Sequence, residues 1–468
     1  MLFNSLIFLF AFLPVTYLTY WSLKTTRWRQ ACLTISGYIF YGYWGPRYCL
    51  LMAFTTLVSY CAGRGLLSSK TPHARRFFLI APITIDLTVL AFFKYAGFFA
   101  RSVDDVFTLS GFNAPFPILS IVLPIGISFY TFHTITYIVD AYRGVIKPTR
   151  SLWEYAAYVS LFAQLVAGPI VRFRQIESDL EAVGSAERKP GLAIGLSFLA
   201  FGMMEKVIIA DSLSRYVDPA LENYRNLSCA GVWLAMVGYS LQLYFDFSGY
   251  SSMAVGLGRM FGLRIPQNFN SPYRATSPSD FWKRWHISLS TVLRDYLFMP
   301  LSMLNQGRGS KAVTFRNLMI TMSLGGLWHG ANWTFVLWGV YSGLLLAVHN
   351  TLSDLNFRLP RPISQLLCYI CVVVLALVLF RSTDLSMAGT LYSKMLALTP
   401  GVLPADSLEF AALVLLSGVL AYAGPNAFEF HRNWQPTVWH GVLASVVLAS
   451  AVAVIAGARP TPFLYYQF

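Results

Sequence analysis

Charge is what this chain has least of. Only 12% of its 468 residues are Asp, Glu, Lys or Arg, about half the share usual in soluble domains. That shortage excludes a soluble globular enzyme, a disordered chain and a coiled coil. Acidic residues are the scarcer sign, 21 against 35 Lys plus Arg, which leaves a net charge of +14. Such a surplus can mark nucleic-acid binding. A chain that is 56% hydrophobic and 16% aromatic, with a mean hydropathy of +0.54, has no solvated basic surface to offer, so nucleic acid is not an expected partner. The expected partner is the lipid bilayer, with the excess Lys and Arg in cytoplasmic loops.

Cysteine is also sparse. The six residues Cys32, Cys49, Cys61, Cys229, Cys368 and Cys371 lie mostly in apolar runs. Cys368 and Cys371 form a C-x-x-C, but without a second pair or a nearby His they read as small helix residues, and no metal site is expected. Residues 1–23 carry no charge, so they lack the basic start of a cleavable signal and read as a first permanent span. Nucleophile elbow, P-loop lysine and H-E-x-x-H motifs are absent, and Gly256-Leu-Gly-Arg-Met-Phe-Gly262 lacks dinucleotide-binding spacing. Acyl transfer by such a chain would need a histidine acting as base on an incoming hydroxyl.

Long apolar runs are abundant. Spans are expected at residues 2–23, 31–44, 48–62, 77–93, 118–140, 152–170, 191–210, 232–247, 314–327, 333–349, 363–380, 408–423 and 438–456. A crossing takes about 20 residues, so the shorter ones are expected to tilt, re-enter or pack inside a bundle. The expected fold is all-α, a polytopic integral membrane protein with about 11–13 membrane helices. Basic residues favour alternate loops: Lys24, Arg27 and Arg29; Arg64, Lys70, Arg75 and Arg76; Arg143, Lys147 and Arg150. This alternation places the N-terminus outside and the odd loops in the cytoplasm.

One stretch breaks the pattern. Between Arg259 and Arg316, charges interleave with Phe, Trp, Leu and Tyr, and Trp282, Trp285, His286, Leu289, Leu293 and Tyr296 recur at helical spacing. Two readings stand: an amphipathic helix at the membrane surface, or a polar helix packed inside the protein. Two of the seven histidines keep unusual company. His329 lies between two apolar spans in Leu324-Gly-Gly-Leu-Trp-His-Gly-Ala-Asn332, and an ionisable residue at membrane depth is a functional candidate by default. On a helix Asn332 would share its face, and Gly325, Gly326 and Gly330 would clear space around the imidazole. The competing reading is a packing histidine in a tight helix crossing. His286, within Phe281-Trp-Lys-Arg-Trp-His286, can equally be an interfacial residue in a Trp/Arg belt. His133 reads as structural, and His73, His349, His431 and His440 sit at span ends.

These residues carry a recognisable pattern. Leu123-Pro-Ile-Gly-Ile-Ser-Phe-Tyr130, Tyr137-Ile-Val-Asp-Ala-Tyr-Arg-Gly144, Ala167-Gly-Pro-Ile170, Tyr244-Phe-Asp-Phe-Ser-Gly-Tyr250 and Asn268-Phe-Asn-Ser-Pro-Tyr273 occur in order. With Phe281–Ser290, Leu293-Arg-Asp-Tyr296 and Gly325–Asn332 they resemble the membrane-bound O-acyltransferase family, in its bacterial alginate-acetylating branch. The resemblance covers the chain as a single domain, 1–468, with a core segment at 259–332. It implies helices around a central tunnel in the bacterial inner membrane, an acyl-CoA donor entering from the cytoplasm and an acyl group leaving outside. His329 matches the family's invariant histidine and His286 its second, with Asn332, Trp328 and Asp295 expected in support. In that branch acetyl-CoA is a substrate rather than a bound cofactor. The acetyl group passes to a periplasmic SGNH-type acetyltransferase or esterase-like partner, which modifies an extracytoplasmic polysaccharide. His133 and Met204-Glu205-Lys206 depart from the expected family residues.

Lys283, Arg284 and Arg294 are candidates for the phosphates of coenzyme A, the alternative being pairing with Asp280 and Asp295. Residues 462–468 hold Phe463, Tyr465 and Phe468 in an F-x-Y-x-x-F pattern similar to that of the partner peptide of teichoic-acid D-alanylation. By that similarity Tyr465 is a candidate acyl relay, and otherwise an aromatic anchor at the interface. Two other functions remain open on sequence alone. One is a transporter of a polymer or acyl carrier using the histidines as a proton relay; the other is a scaffold that docks a polymer synthase.

Overall fold

The computed structural model describes residues 1–111, 121–166, 168–185, 191–304, 310–357, 359–432, 435–457 and 463–464. Among these residues the protein is helical, without a β-strand, and one isolated parallel bridge joins Leu227 to Val402. Six helices are long and apolar enough to cross a membrane, and two shorter apolar ones accompany them. The chain forms two compact units: residues 1–196 with 254–266, and residues 197–253 with 267–468.

The first unit contains α1 (Phe8–Ser22), α2 (Thr26–Gly42), α3 (Arg47–Ser68), α4 (Pro72–Leu109), α5 (Ile127–Tyr142), α6 (Leu152–Ser160) and α7 (Phe173–Glu181). Their starts are written in the sequence: Thr25, Thr71 and Ser151 each accept a backbone N–H three residues on, and Pro72 occupies a first-turn position where no N–H is missed. The core is aromatic, with Tyr20, Phe40, Tyr130, Tyr137, Tyr155 and Phe162 almost fully buried. Several of its polar groups are tied internally. Arg29 donates to the carbonyl oxygens of Leu23 and Val183, Thr134 donates to Asp86 at 2.6 Å, and Arg264 forks onto the buried carboxylate of Asp179. His133 packs in this unit with its ring 5.4 Å from that of Tyr158.

The second unit is built on α8 (Leu192–Glu222) and α9 (Cys229–Met260). Gly202 and Gly249 let them touch: a Cβ on Gly249 would lie 2.7 Å from the Gly202 carbonyl oxygen. A wide π turn interrupts α8 at Met204–Ala210. It turns Glu205 to the hydroxyls of Ser248 and Ser252, and Lys206 to Asp246 at 2.7 Å and Asp211 at 2.5 Å. The unusual Met204-Glu205-Lys206 is thus absorbed by pairing, as buried charges require. Beyond follow α10 (Pro278–Trp282), α11 (Ile287–Leu293), α12 (Lys311–His329), α13 (Trp333–Asp354), α14 (Arg361–Arg381), α15 (Leu385–Leu396), α16 (Ser407–Ala423) and α17 (Val438–Gly457).

The regular spacing of Trp282, Trp285 and His286 suggests one continuous helix, and the backbone overturns that. His286 has φ +43° and ψ +54°, a left-handed conformation costly for a residue with a Cβ. The chain therefore breaks into α10 and α11 with the histidine at the corner. Trp285, His286 and Leu289 are buried, so this segment packs inside the protein rather than lying on its surface.

Candidate active site

Both family histidines belong to the second unit, and the fold delivers them differently. His286 sits at the corner between α10 and α11, 1% exposed. Its Nδ1 lies 3.2 Å from Asn268 Oδ1, which also accepts the Ser288 N–H at 3.1 Å and the Ser288 hydroxyl at 2.8 Å. Asn268 Nδ2 donates to Ser251 Oγ at 3.3 Å, which fixes the amide's orientation. An amide oxygen can only accept, so Nδ1 carries the proton and Nε2 keeps its lone pair. Burial lowers the His286 pKa, which keeps the ring neutral.

His329 is the last residue of α12 and 6% exposed. Its ring stands 5.0 Å from Trp328, 5.0 Å from Trp338 and 5.3 Å from Phe380, all roughly edge-to-face. A narrow apolar chamber meets it, walled also by Leu243, Phe281, Trp285 and Val372. Trp328 links the two histidines, its ring 6.1 Å from His286 on one side and 5.0 Å from His329 on the other. Both imidazoles thus lie beside the same indole in an aromatic setting.

Asn332 does not share a helical face with His329. The helix ends at His329, Gly330 is extended, and Asn332 caps α13. Its Oδ1 accepts the Thr334 N–H at 3.1 Å and its Nδ2 donates to the Thr383 carbonyl at 2.7 Å. Asn332 thus holds the turn that sets the end of α12. The nearby glycines serve packing: a Cβ on Gly326 would strike the Phe335 carbonyl, one on Gly330 the Phe335 ring, and one on Gly339 the Met322 carbonyl. They let α12 and α13 close on each other.

The basic candidates lie elsewhere on the unit. Arg284 pairs with Asp280 at 2.8 Å, Arg294 pairs with Asp295 at 2.8 Å, and Lys283 is exposed. Tyr465 lies outside the described residues, but its neighbours are placed. Phe463 is buried against Tyr250 (4.8 Å between rings) and Phe247 (5.7 Å), and Leu464 N–H donates to Asp246 at 3.0 Å. Phe247 in turn meets the His286 ring edge-on at 4.8 Å. Sequence reasoning passed over Asn268, Ser288, Trp338 and Phe380. Asn268 opens one of the family motifs and Ser288 lies within another, and those were their available signals; Trp338 and Phe380 become visible only when the segments meet. Among the described residues no group of three or more His, Cys, Asp or Glu is placed to hold a metal.

Residues 130–387 match the membrane-bound O-acyltransferase family. A probable alginate O-acetylase of Pseudomonas aeruginosa is 40% identical over 437 residues, covering 92% of this chain and 82% of the relative. The peptidoglycan O-acetyltransferase of Helicobacter pylori is 32% identical across 100% of this chain and 98% of its own. The teichoic acid D-alanyltransferase of Bacillus subtilis is 31% identical over 50% of this chain and 60% of its own. Acyl transfer, rather than transport or scaffolding, is the activity these relatives share. Together with the apolar helices, these matches make the chain a multi-pass membrane enzyme that belongs to the membrane-bound O-acyltransferase family.

Proposed function

We propose that the chain transfers an acetyl group from cytoplasmic acetyl-CoA, across the bacterial inner membrane, for O-acetylation of an extracytoplasmic polysaccharide. The observation that carries this reading is His329 buried in its aromatic chamber, one indole from His286. His329 takes the proton of the acceptor hydroxyl as that oxygen attacks the thioester carbonyl. The C–S bond breaks, and the coenzyme A sulfur leaves as a thiol on recovering the proton from the imidazolium. Aromatic walls exclude water as a competing acceptor. His286, its tautomer held by Asn268, presents Nε2 as a second acceptor on the path.

The donor's place is supported by an open cleft of about 1530 Å³ beside the chamber. Val372 lines both cavities, and Arg361 and His349 stand among the cleft's walls. In this reading Arg361 meets the donor phosphates, a role better suited to it than to Arg284 and Arg294, which already hold carboxylates. Phe463, two residues before Tyr465, packs against Phe247, and that placement supports Tyr465 as a phenolic relay toward a periplasmic SGNH-type partner. The names of relatives point to alginate or peptidoglycan as acceptor classes.

The test is acetate released by mild alkali from the surface polysaccharide of cells whose own copy is replaced by variants. Wild type restores it, His329→Ala abolishes it at equal membrane levels, and Tyr465→Phe abolishes it if the relay operates. Full acetylation with His329→Ala would overturn the reading; full acetylation with Tyr465→Phe removes the relay alone.

A further inference from the structure

A third cavity of this unit is lined by neither His286 nor His329. It is an elongated cleft with about 960 Å³ of open space between α8, α9, α16 and α17. Ala200, Met204 and Ile209 form one wall, and Leu443, Ala444 and Val447 form another. Its polar members are already satisfied. Glu205 accepts from the hydroxyls of Ser248 and Ser252, at 3.0 to 3.2 Å. The Ser197 hydroxyl donates to His431 Nε2 at 2.8 Å, and His431 Nδ1–H donates to the Ala427 carbonyl at 2.6 Å. A polar solute would gain little against such walls, whereas hydrocarbon would bury apolar surface on every side.

The α17 helix says which phase the cleft meets. Only 6% of its apolar window is buried, so most of its surface faces the bilayer. His440, Ala444 and Val447 form its half-buried stripe toward the cleft, while Val442 and Val446 point outward, 47% and 57% exposed. Trp439 at its start is 80% exposed, as an aromatic anchor at headgroup depth would be. The cleft therefore begins near the interface, at His440 and Asn426, and runs to Val447, about 10 Å deeper along the helix.

We propose that this cleft is a lipid site, holding one acyl chain of a bilayer phospholipid with its headgroup at the His440 and Asn426 end. The chain fills the gap behind α17 and fastens a helix that protein contacts alone hold weakly. The site is independent of the acyl-transfer chemistry.

Photo-crosslinking tests it. The full-length protein is reconstituted in vesicles of phosphatidylcholine carrying a diazirine at mid-chain, irradiated, and mapped by mass spectrometry. Crosslinks are expected on Met204, Ala444 and Val447 as well as on outward residues such as Val446. Ala444→Trp and Met204→Trp, which fill the cleft from opposite walls, should each lower the cleft adducts at least fivefold and leave Val446 labelled. Adducts confined to outward residues in wild type would overturn the proposal without any variant. So would unchanged cleft labelling in both variants, or labelling displaced by polyprenyl phosphate and not by unlabelled phosphatidylcholine.

Discussion

His286 and His329 are the same residue type in the same unit, yet the protein holds them by opposite means. His286 is fixed by polar bonds, at a strained corner where Asn268 and Ser288 assign its proton. His329 stands among aromatic rings, those of Trp328, Trp338 and Phe380. Of the two, His329 lines the apolar chamber, which is why the proposal makes it the base and His286 a supporting acceptor.

The comparison breaks first at His329. His329→Ala should lower acetyl transfer by about 10²- to 10⁴-fold, the usual share of general-base catalysis, while His286→Ala should cost less. Equal losses in a single-turnover assay would erase the distinction drawn here. Shape is tested next, at Gly326, where an added Cβ strikes the Phe335 carbonyl. Gly326→Ala should destabilise the α12–α13 pair by about 1–3 kcal/mol, read as a lower thermal midpoint in detergent, with activity falling alongside. A third change, Asn268→Ala, removes the bond that orients His286 and should slow transfer about fivefold, the equivalent of one hydrogen bond of about 1 kcal/mol. His329 geometry should be untouched, so the pH profile should keep its shape.

The last effect is on stability against pH rather than on rate. Burial pushes the His286 pKa down to about 3, while an unfolded histidine titrates near about 6.5. The neutral folded ring therefore contributes fully above about pH 6.5, and its contribution is lost progressively as pH falls toward the folded value. Thermal midpoints in detergent between pH 7 and pH 4 should fall less steeply in His286→Gln than in wild type. An identical slope would show that another group governs the acid limb.

Much of the fold was legible because hydropathy and helix caps are local signals. Residues 48–62, 77–93, 333–349 and 438–456 fall within observed long helices, and Thr25, Thr71 and Ser310 mark helix starts. What escaped depends on contacts distant in sequence. The 32-residue α9 reaches well past the expected span at 232–247, because the hydroxyls of Ser248 and Ser252 beyond it are taken up by Glu205 from another helix, and composition alone cannot credit that bonding. The expected span at 118–140 has its described helix at Ile127–Tyr142, beginning after the left-handed Gly126. At the site, the motifs marked both histidines, but no Gly or Pro announced the break at His286. The face expected to join Asn332 to His329 is absent, because spacing of three implies a shared face only if the helix continues, and it stops at His329.

The central claim is that His329 is the base for acyl transfer from coenzyme A. The most direct measurement uses the purified chain in phospholipid nanodiscs with acetyl-labelled acetyl-CoA, following free coenzyme A thiol and label retained on protein or acceptor. Wild type should release thiol in step with label transfer, and His329→Ala should bind the donor with unchanged affinity yet release and transfer almost none. Transfer at the wild-type rate by a folded His329→Ala protein would contradict the account.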